Sequence, residues 1–323
     1  MTTKQVEKTI SSAATGTGEE REQLFKLLAE AVREHMGATV DEEAVRRIAG
    51  EEIARRYAPQ VLELRLPDGT AKTVEGAHAQ LAELLGMIEE GHRNLMLVGP
   101  AGSGKTTLAK TTAHAMNLPF GFLSLSAGVT ETHLLGRVLP QADGSWQYQK
   151  SLFVKIYEEG GVFLLDEIDA ADANVMVAIN AALANGVLAN PISGTVHPRH
   201  KDTYIIAAAN TWGRGADAQY AGRNALDAST LDRFVLSTLH VKYDTLLERM
   251  LAQASLPDAK AAELLEWLEE IRKAIDTNRL RRVASTRLLV NATAALKAGR
   301  SLADVKERYF IDWSKDERAK AGV

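Results

Sequence analysis

The sequence predicts an α/β fold in which a parallel, doubly wound sheet with inserted β-hairpins is followed by a small all-helical C-terminal domain. Three observations predict this fold. Apolar runs alternate with helical patterns from His78 to Ala209, and this order produces a parallel sheet. Two turn-rich segments with short β-like arms, 137–148 and 187–196, interrupt that order as inserted hairpins. Beyond about Lys242 only helical patterns remain.

The first part of the chain is predicted to be an extension of this core. Residues 1–20 are rich in Ser, Thr, Gly and Ala, a composition typical of a flexible tail. In residues 21–75 apolar positions recur at helical spacing from Leu24 and later alternate, which predicts a helical extension that ends in a small hairpin. The predicted domains are then a core at 76–241 and a helical C-terminal domain at 242–323.

The remaining elements follow from the same periodicities. Short apolar runs bounded by polar or turn residues predict the strands of the core at 95–98, 120–125, 161–166 and 204–209. Apolar stripes at helical spacing predict its helices at 78–90, 105–116 and 151–159. The same stripes predict C-terminal helices at 246–254, 261–275 and 285–298, with a short one from 303.

Composition excludes several function classes. The chain has 323 residues, is 46% hydrophobic and 25% charged, and can bury a sizeable core. Its net charge of −4 gives no global cationic field for nucleic acid. It has no cysteine, which excludes disulfides, thiolate zinc sites and thiol nucleophiles. We expect a cytoplasmic protein that does not contact membranes, because no apolar run approaches the ~18 residues of a membrane span.

One motif of the predicted core is a phosphate-binding loop. Its pattern G-x-x-x-x-G-K-[ST] stands between an apolar run and a helical pattern, which is the context that binds a nucleoside triphosphate. Glycines let main-chain N–H groups turn toward the phosphates, Lys105 adds a positive charge, and the Thr106 hydroxyl can ligate Mg²⁺. The predicted nucleotide-binding residues of this loop are Gly99, Pro100, Ala101, Gly102, Ser103, Gly104, Lys105, Thr106 and Thr107.

Two carboxylates follow the apolar run 161–165. Asp166 stands where a carboxylate can hold the Mg²⁺ shell, so Thr106 and Asp166 are the predicted metal ligands. Glu167 beside it can orient and deprotonate a water for attack on the γ-phosphate, and it is the predicted catalytic base. The alternative interpretation of this acidic segment is a solvated turn.

Two further polar residues are candidates for the same site. Asn210 closes the predicted strand 204–209, which would place its amide beside the γ-phosphate, unless it is an ordinary turn residue. Arg233 could stabilise transition-state charge on a nucleotide held by a neighbouring subunit. A lone arginine at such a position is more often part of a surface ion pair.

Five motifs, taken in their order along the chain, resemble those of a known protein family. The series GPAGSGKT, VFLLDEID, AAANT, LDRF and STRLL resembles the Walker A, Walker B, sensor 1, arginine-finger and sensor 2 motifs of AAA+ ATPases. The hairpins and the segment from Asn210 to Arg233 look like the MoxR and dynein-related group, and are most similar to the CobS subunit of cobaltochelatase and to CbbQ and NorQ activators. The fold is then expected to be a P-loop AAA+ core with a helical lid.

The resemblance also assigns roles by position. It implies Glu167 as catalytic base, Asn210 as sensor 1, Arg233 as arginine finger and Arg287 as a sensor 2 residue that binds the nucleotide. Arg223 is a second finger candidate, because it lies in the same stretch between subunits.

ATP, Mg²⁺ and a set of partners are implied in the same way. An arginine finger is useful only when a neighbouring subunit places it at the next active site, so we expect a homo-oligomeric ring of six subunits. The expected function is remodelling or activation of a client or adaptor protein, which in the resembled group often has a von Willebrand A domain. The alternatives are the ATPase subunit of a metal chelatase and a nucleic-acid motor, against which the acidic balance argues. A third alternative is a small-molecule kinase. Such an enzyme would need an acceptor site and no arginine finger, so the predicted helical lid and Arg233 argue against it.

Overall fold

The computed structural model describes residues 61–65, 71–217 and 219–322, so the predicted tail 1–20 and the helical patterns of 21–60 lie outside the described residues. The described chain divides into two compact units. One unit consists of 61–244 with 275–286, and the other consists of 245–274 with 287–322. The predicted domain limits stay predictions.

Strands and helices of the described residues are numbered in chain order. The strands are β1 (Val61–Arg65), β2 (Ala71–Glu75), β3 (Asn94–Val98), β4 (Phe120–Ser124), β5 (Arg137–Pro140), β6 (Trp146–Gln149), β7 (Gly161–Asp166), β8 (Val187–Asn190), β9 (Thr195–Pro198), β10 (Thr203–Ala209) and β11 (Thr238–His240). The helices are α1 (Leu81–Glu89), α2 (Lys105–Ala115), α3 (Glu131–Leu135), α4 (Leu152–Glu159), α5 (Ala173–Ala184), α6 (Ala228–Asp232), α7 (Thr245–Gln253), α8 (Asp258–Thr277), α9 (Thr286–Lys297), α10 (Leu302–Tyr309) and α11 (Lys315–Ala321).

The first unit is built on a five-stranded sheet in the order β11-β3-β10-β7-β4. All its strand pairs are parallel, and Ala209 of β10 stands opposite Val98 of β3. Crossovers between neighbouring strands bring the carboxyl ends of β3, β10 and β7 side by side at one edge. In a doubly wound sheet this edge is where ligands bind. The predicted α/β fold with a parallel sheet is confirmed.

Burial on both faces explains why these strands read as continuous apolar runs. Successive side chains of a strand point to opposite faces. In β3, Met96 and Val98 therefore pack in one hydrophobic core, and Leu95 and Leu97 pack in a second core. Parallel sheets covered on both faces have this composition.

Both predicted insertions are antiparallel hairpins, β5–β6 and β8–β9. They are joined by a partly buried polar contact, because the Asn190 side-chain nitrogen donates to the Tyr148 hydroxyl at 2.8 Å. His197 of the second hairpin is buried, and its Nδ1 lies 2.7 Å from Glu158 Oε1 at the end of α4. The hairpins are therefore tied to each other and to the sheet-packing helix α4. The hairpin predicted near 61–74 is β1–β2, with residues 66–70 outside the described chain.

Several elements differ from the sequence prediction, and helices α3, α5 and α6 were not predicted. Helix α1 begins at Leu81 rather than at 78, because the residues before it bond elsewhere: Ala79 N donates to Asp244 Oδ2 at 2.6 Å. The edge strand β11 was not predicted, since three residues are too few to show a period. The predicted C-terminal helix from 303 is two helices, α10 and α11, separated by the turn before the cap residue Ser314.

The second unit contains helices and a buried ion pair. Glu248 of α7 accepts two hydrogen bonds from the Arg272 guanidinium of α8, at 2.7 and 2.8 Å. An aromatic cluster joins α8 to α10 and the turn after it, and its members are Trp267, Tyr309, Phe310 and Trp313. Across the described residues, no helix combines the length and the hydropathy needed to span a membrane.

Candidate functional site

The phosphate-loop sequence forms the connection from β3 to α2. Gly99 approaches the neighbouring chain so closely that a Cβ there would lie 2.2 Å from the carbonyl oxygen of Val241. Gly104 precedes α2 with a φ of 93°, a left-handed conformation that favours glycine. Gly99 is therefore required by a close main-chain contact, and Gly104 by its backbone conformation. The loop ends where the positive N-terminal end of α2 begins, a position that suits an anion.

Lys105, the first residue of α2, is buried, and its ammonium group is held by three carbonyl oxygens. It donates to Gly99 O at 2.7 Å, to Pro100 O at 3.0 Å and to Asn210 Oδ1 at 2.9 Å. Asn210 follows β10, the strand next to β3, so the parallel sheet brings the two side chains together. A positive charge at a helix N-terminus inside a glycine-rich loop fits a phosphate group.

The two predicted metal ligands touch each other. The Thr106 hydroxyl donates to Asp166 Oδ2 at 2.9 Å, across the gap between the start of α2 and the end of β7. Hydroxyl and carboxylate oxygens are the ligands that Mg²⁺ prefers, and this ion usually adds water and substrate phosphate oxygens to one or two protein ligands. Thr106 and Asp166 therefore fit a Mg²⁺ ion, which would neutralise phosphate charge when bound.

Glu167, the predicted base, has an unusual backbone and a charged partner. Its φ of 56° and ψ of 42° lie in the left-handed region, which is uncommon for non-glycine residues. Its side chain is 42% exposed, and its Oε1 lies 3.0 Å from Nη2 of Arg223. The second predicted finger candidate thus binds the base of its own chain.

Asp169, in the 3₁₀ turn after Glu167, holds several other residues of the site in position. Its side chain is fully buried, and Oδ2 accepts hydrogen bonds from Asn210 N at 3.2 Å, Thr211 N at 3.0 Å and Thr211 Oγ1 at 2.9 Å. Its Oδ1 lies 3.3 Å from Nη1 of Arg223. One buried carboxylate therefore fixes the end of β10 and the arginine that pairs with Glu167.

Two tyrosines hold the phosphate loop at Ala101. The Ala101 main-chain N–H donates to the Tyr220 hydroxyl at 2.8 Å, and the Tyr243 hydroxyl donates to the Ala101 carbonyl at 3.0 Å. Burial raises the pKa of Tyr220, although the hydrogen bond from Ala101 opposes that shift, so the phenol stays protonated near neutral pH. One N–H of the loop is thus engaged by a side chain.

The remaining predicted residues lie in different surroundings. Thr107 is exposed on α2, and Ser103 is buried with a hydroxyl that has no hydrogen-bond partner within the described chain. Arg233 donates through Nε to Asn180 O at 3.2 Å and through Nη1 to Ser229 O, both in its own chain. Arg287 is an exposed residue of α9 in the second unit.

The structure thus brings together the predicted side chains of the phosphate loop, Asp166 and Asn210. Sequence reasoning missed Asp169, Tyr220 and Tyr243 as parts of this site. A signal existed for Asp169, because it is the last carboxylate of the run Asp-Glu-Ile-Asp that ends a buried strand. Tyr220 belongs to the segment that carries the resemblance, but no pattern indicated the contact of either tyrosine, since each acts through one hydrogen bond to a main chain more than 100 residues away.

Two relatives and one solved structure illustrate what this chain is similar to. An uncharacterized protein of Staphylococcus epidermidis is 27% identical over 241 residues, which cover 72% of this chain and 88% of the relative. An uncharacterized protein of Staphylococcus saprophyticus is 26% identical over 240 residues, with coverages of 72% and 88%. A solved structure of a candidate ATPase from Cytophaga hutchinsonii has a TM-score of 0.43 and 18% identity over 72% of this chain and 81% of its own, a likeness too distant to carry an argument.

The family match covers strands β3, β4, β7 and β10 of the central sheet and most of the site. Residues 94–234 match the family described as the AAA domain, dynein-related subfamily. The matched residues contain the phosphate loop, the two carboxylates after β7, and Asn210. Over residues 94–234, this chain is therefore similar to the nucleotide-binding AAA domains of the dynein-related subfamily.

Proposed function

We propose that this protein hydrolyses ATP with Mg²⁺ and uses the energy, as a ring of identical subunits, to remodel or activate a partner protein. The observation that carries the ATPase proposal is the contact set at the sheet edge: Lys105 with Asn210, and Thr106 with Asp166. These contacts bring a phosphate-binding cation, a polar sensor and a magnesium pair together from three neighbouring strands.

Each residue of the candidate site has a defined role in this proposal. Lys105 and the main chain of the loop bind the phosphates, and Thr106 with Asp166 holds the metal ion. Glu167 takes a proton from the attacking water, and Asn210 orients that water or the phosphate beside it. Arg233 acts on the nucleotide of the neighbouring subunit, which makes each active site composite.

The MoxR-like remodelling role is the narrower part of the proposal. Its support is the pair of joined hairpins, in which the exposed Trp146, the first residue of β6, offers an apolar contact. The net charge of −4 favours a protein partner over a phosphate backbone. A CobS-like role as the ATPase subunit of a chelatase is the more specific version, and the resemblance of the motifs is its support.

A pair of variants tests this function. Glu167→Gln should bind ATP normally and lose turnover, and it should retain a partner protein in the presence of ATP when it is isolated from its native cells. Lys105→Ala should bind neither ATP nor, with ATP added, the same partner. If Glu167→Gln hydrolysed ATP at the rate of the unaltered protein, Glu167 would not be the base.

Nucleic acid serves as the competing partner in a second measurement. We expect ATP hydrolysis to be unchanged by single- or double-stranded DNA or RNA at low and moderate salt. A stimulation of several-fold that weakens steeply with salt would contradict the remodelling proposal, because that dependence is the signature of phosphate-backbone binding.

A further inference from the structure

Glu167 has a main chain that is held in place and a side chain that is 42% exposed. Its N–H donates to Asp166 Oδ1 at 3.0 Å, and its carbonyl accepts from Ala170 N at 2.8 Å. A glutamate side chain has three rotatable bonds, so a fixed main chain leaves several rotamers open to it. A general base must lie within hydrogen-bond reach of the water that it deprotonates. A further contact is therefore needed to select one rotamer of Glu167.

The Arg223 guanidinium makes such a contact. Its Nη2 lies 3.0 Å from Glu167 Oε1, and its Nη1 lies 3.3 Å from Asp169 Oδ1. The Arg223 side chain is only 13% exposed, and the Asp169 side chain is fully buried. A planar guanidinium that faces two carboxylates has little rotational freedom. It therefore holds the Glu167 carboxylate through one oxygen and leaves the other oxygen to accept a proton.

The main chain beside Arg223 is fixed to the same turn. Asn224, the next residue, donates through its N–H to the Asp169 carbonyl at 2.6 Å. Its side-chain nitrogen donates to the Ala171 carbonyl at 3.1 Å. The guanidinium therefore projects from a main chain that is anchored directly to the turn after Glu167.

Asp169 connects this arginine to the end of β10. While Oδ1 faces Arg223, Oδ2 accepts hydrogen bonds from Asn210 N at 3.2 Å and Thr211 N at 3.0 Å. One buried carboxylate thus fixes both the main chain of Asn210, which is proposed to orient the water, and the arginine that contacts the base. A change at Arg223 should therefore affect the chemical step more than the binding of the nucleotide.

On the basis of the proposed ATPase function, we propose that Arg223 is a positioning residue for Glu167 of its own chain. It keeps the carboxylate in the rotamer from which it takes a proton from water, and Asp169 keeps Arg223 aligned with Asn210. Both terminal nitrogens of Arg223 are bound to carboxylates of the same chain. Arg223 is then not an arginine finger for the neighbouring subunit.

Removal of the guanidinium tests this role. Arg223→Ala should bind ATP, measured by calorimetry, within about 3-fold of the unaltered protein, since no phosphate-binding group is lost. Single-turnover hydrolysis at saturating ATP with Mg²⁺ should slow about 10- to 100-fold, which is part of what a general base contributes. Arg214→Ala removes the same charge from an exposed position of the same segment and should change neither quantity. A loss of ATP affinity as large as the loss of rate would overturn the proposal.

A double variant shows whether Arg223 acts through Glu167. Glu167→Gln removes the base, so addition of Arg223→Ala should slow its residual single-turnover rate by less than about 3-fold. The residual rate is measured over long incubations. An arginine that acts independently of Glu167 would instead lower the rate by the same factor in both backgrounds. Factors that multiply in this way would overturn the proposal.

Arg223→Lys separates positioning from stability. Lysine keeps a positive charge near the buried Asp169, so the thermal midpoint should stay closer to that of the unaltered protein than in Arg223→Ala. A single ammonium does not supply the planar pair of donors that faces both carboxylates, so hydrolysis should stay slow. A rate that recovers together with the midpoint would reduce Arg223 to a structural charge.

Mixing of subunits tests whether Arg223 acts within its own chain. Lys105→Ala subunits, which keep Arg223, should not restore hydrolysis to Arg223→Ala subunits, and the same mixture with Arg233→Ala is the comparison. Recovery would identify Arg223 as an arginine finger and overturn the proposal. Failure of the unaltered protein to hydrolyse ATP would refute the proposed function, and the role of Arg223 with it. Normal hydrolysis by the unaltered protein with multiplying factors in the double variant would refute the role of Arg223 alone.

Discussion

The ammonium nitrogen of Lys105 lies 2.9 Å from the side-chain oxygen of Asn210. The first residue of α2 and the residue after β10 are therefore in direct contact, although 105 positions separate them in the chain. A phosphate group bound by this ammonium would lie beside the Asn210 amide. The two residues nevertheless differ in charge, and they should differ in what their removal does.

Replacement of each partner by alanine separates binding from hydrolysis. Lys105→Ala removes a buried positive charge and should abolish ATP binding. Asn210→Ala removes a neutral partner, so ATP affinity should fall less than about 10-fold while single-turnover hydrolysis slows more strongly. Asn185→Ala, at an exposed asparagine after α5, is the control. A loss of binding in Asn210→Ala equal to that in Lys105→Ala would assign Asn210 to nucleotide binding.

Mixing of subunits tests Arg233. Arg233→Ala should bind ATP normally and lose hydrolysis by a factor of roughly 10³, as is typical for fingers in phosphoryl transfer. Its side chain contacts carbonyl oxygens of Asn180 and Ser229 in its own chain, so stability should be checked by thermal unfolding. Lys105→Ala subunits, which keep Arg233, should restore activity to Arg233→Ala subunits. No recovery in rings shown to be mixed would exclude action on a neighbour.

The buried carboxylate of Asp169 should be important for stability. Asp169→Asn removes a charge that accepts three hydrogen bonds and faces the Arg223 guanidinium, and it leaves that cation with a neutral neighbour. We expect a loss of about 3 kcal/mol, which lowers the thermal midpoint by roughly 5–10 °C. Asp172→Asn is the matched control, because asparagine caps a helix as well as aspartate. Equal midpoints for the two variants would contradict the central role of Asp169.

A pH dependence follows from the contact between Glu158 and His197. Burial raises the pKa of Glu158, but hydrogen bonds from Lys150 and His197 outweigh it and hold this pKa below its ordinary 4.5. A carboxyl with a lowered folded-state pKa stabilises the protein above 4.5, and that stabilisation is lost as pH falls through the folded value. Glu158→Gln should therefore lower the thermal midpoint more at about pH 7 than at about pH 3.5.

The neighbouring residue provides the control for this measurement. Glu159 is exposed, and Glu159→Gln should change the midpoint little at either pH. A Glu158→Gln effect that does not shrink on acidification would show that the shape of the side chain, rather than its charge, stabilises the hairpin junction.

The sequence predicted the parts of this fold that depend on local patterns. The burial of β3 and β7 on both faces makes them apolar runs, so their ends could be located to within one residue. The turn chemistry of the two hairpins was equally visible, with Asp143-Gly144 in the first. The glycine pattern of the phosphate-loop motif also located the connection from β3 to α2, because such a loop requires glycines at defined positions.

The parts that could not be predicted depend on long-range contacts. The contact of Arg223 with Glu167 spans 56 positions, and a pattern of residues along the chain does not show which arginine meets which carboxylate. Strand β11 owes its existence to pairing with Met96, Leu97 and Val98 rather than to its own three residues. Both contacts are products of the folded sheet.

Hydrogen bonds between residues 78–80 and residues 240–244 bring two distant parts of the chain together. His78 contacts Lys242 O at 3.2 Å, Ala79 donates to Asp244, and Gln80 both donates to His240 O and accepts from Lys242 N. The chain that enters the five-stranded sheet region and the chain that leaves it are thus hydrogen-bonded at one place. Ends that lie this close together are a feature of chains that tolerate circular permutation, so a permuted chain that joins residues 78 and 244 would need no long spacer.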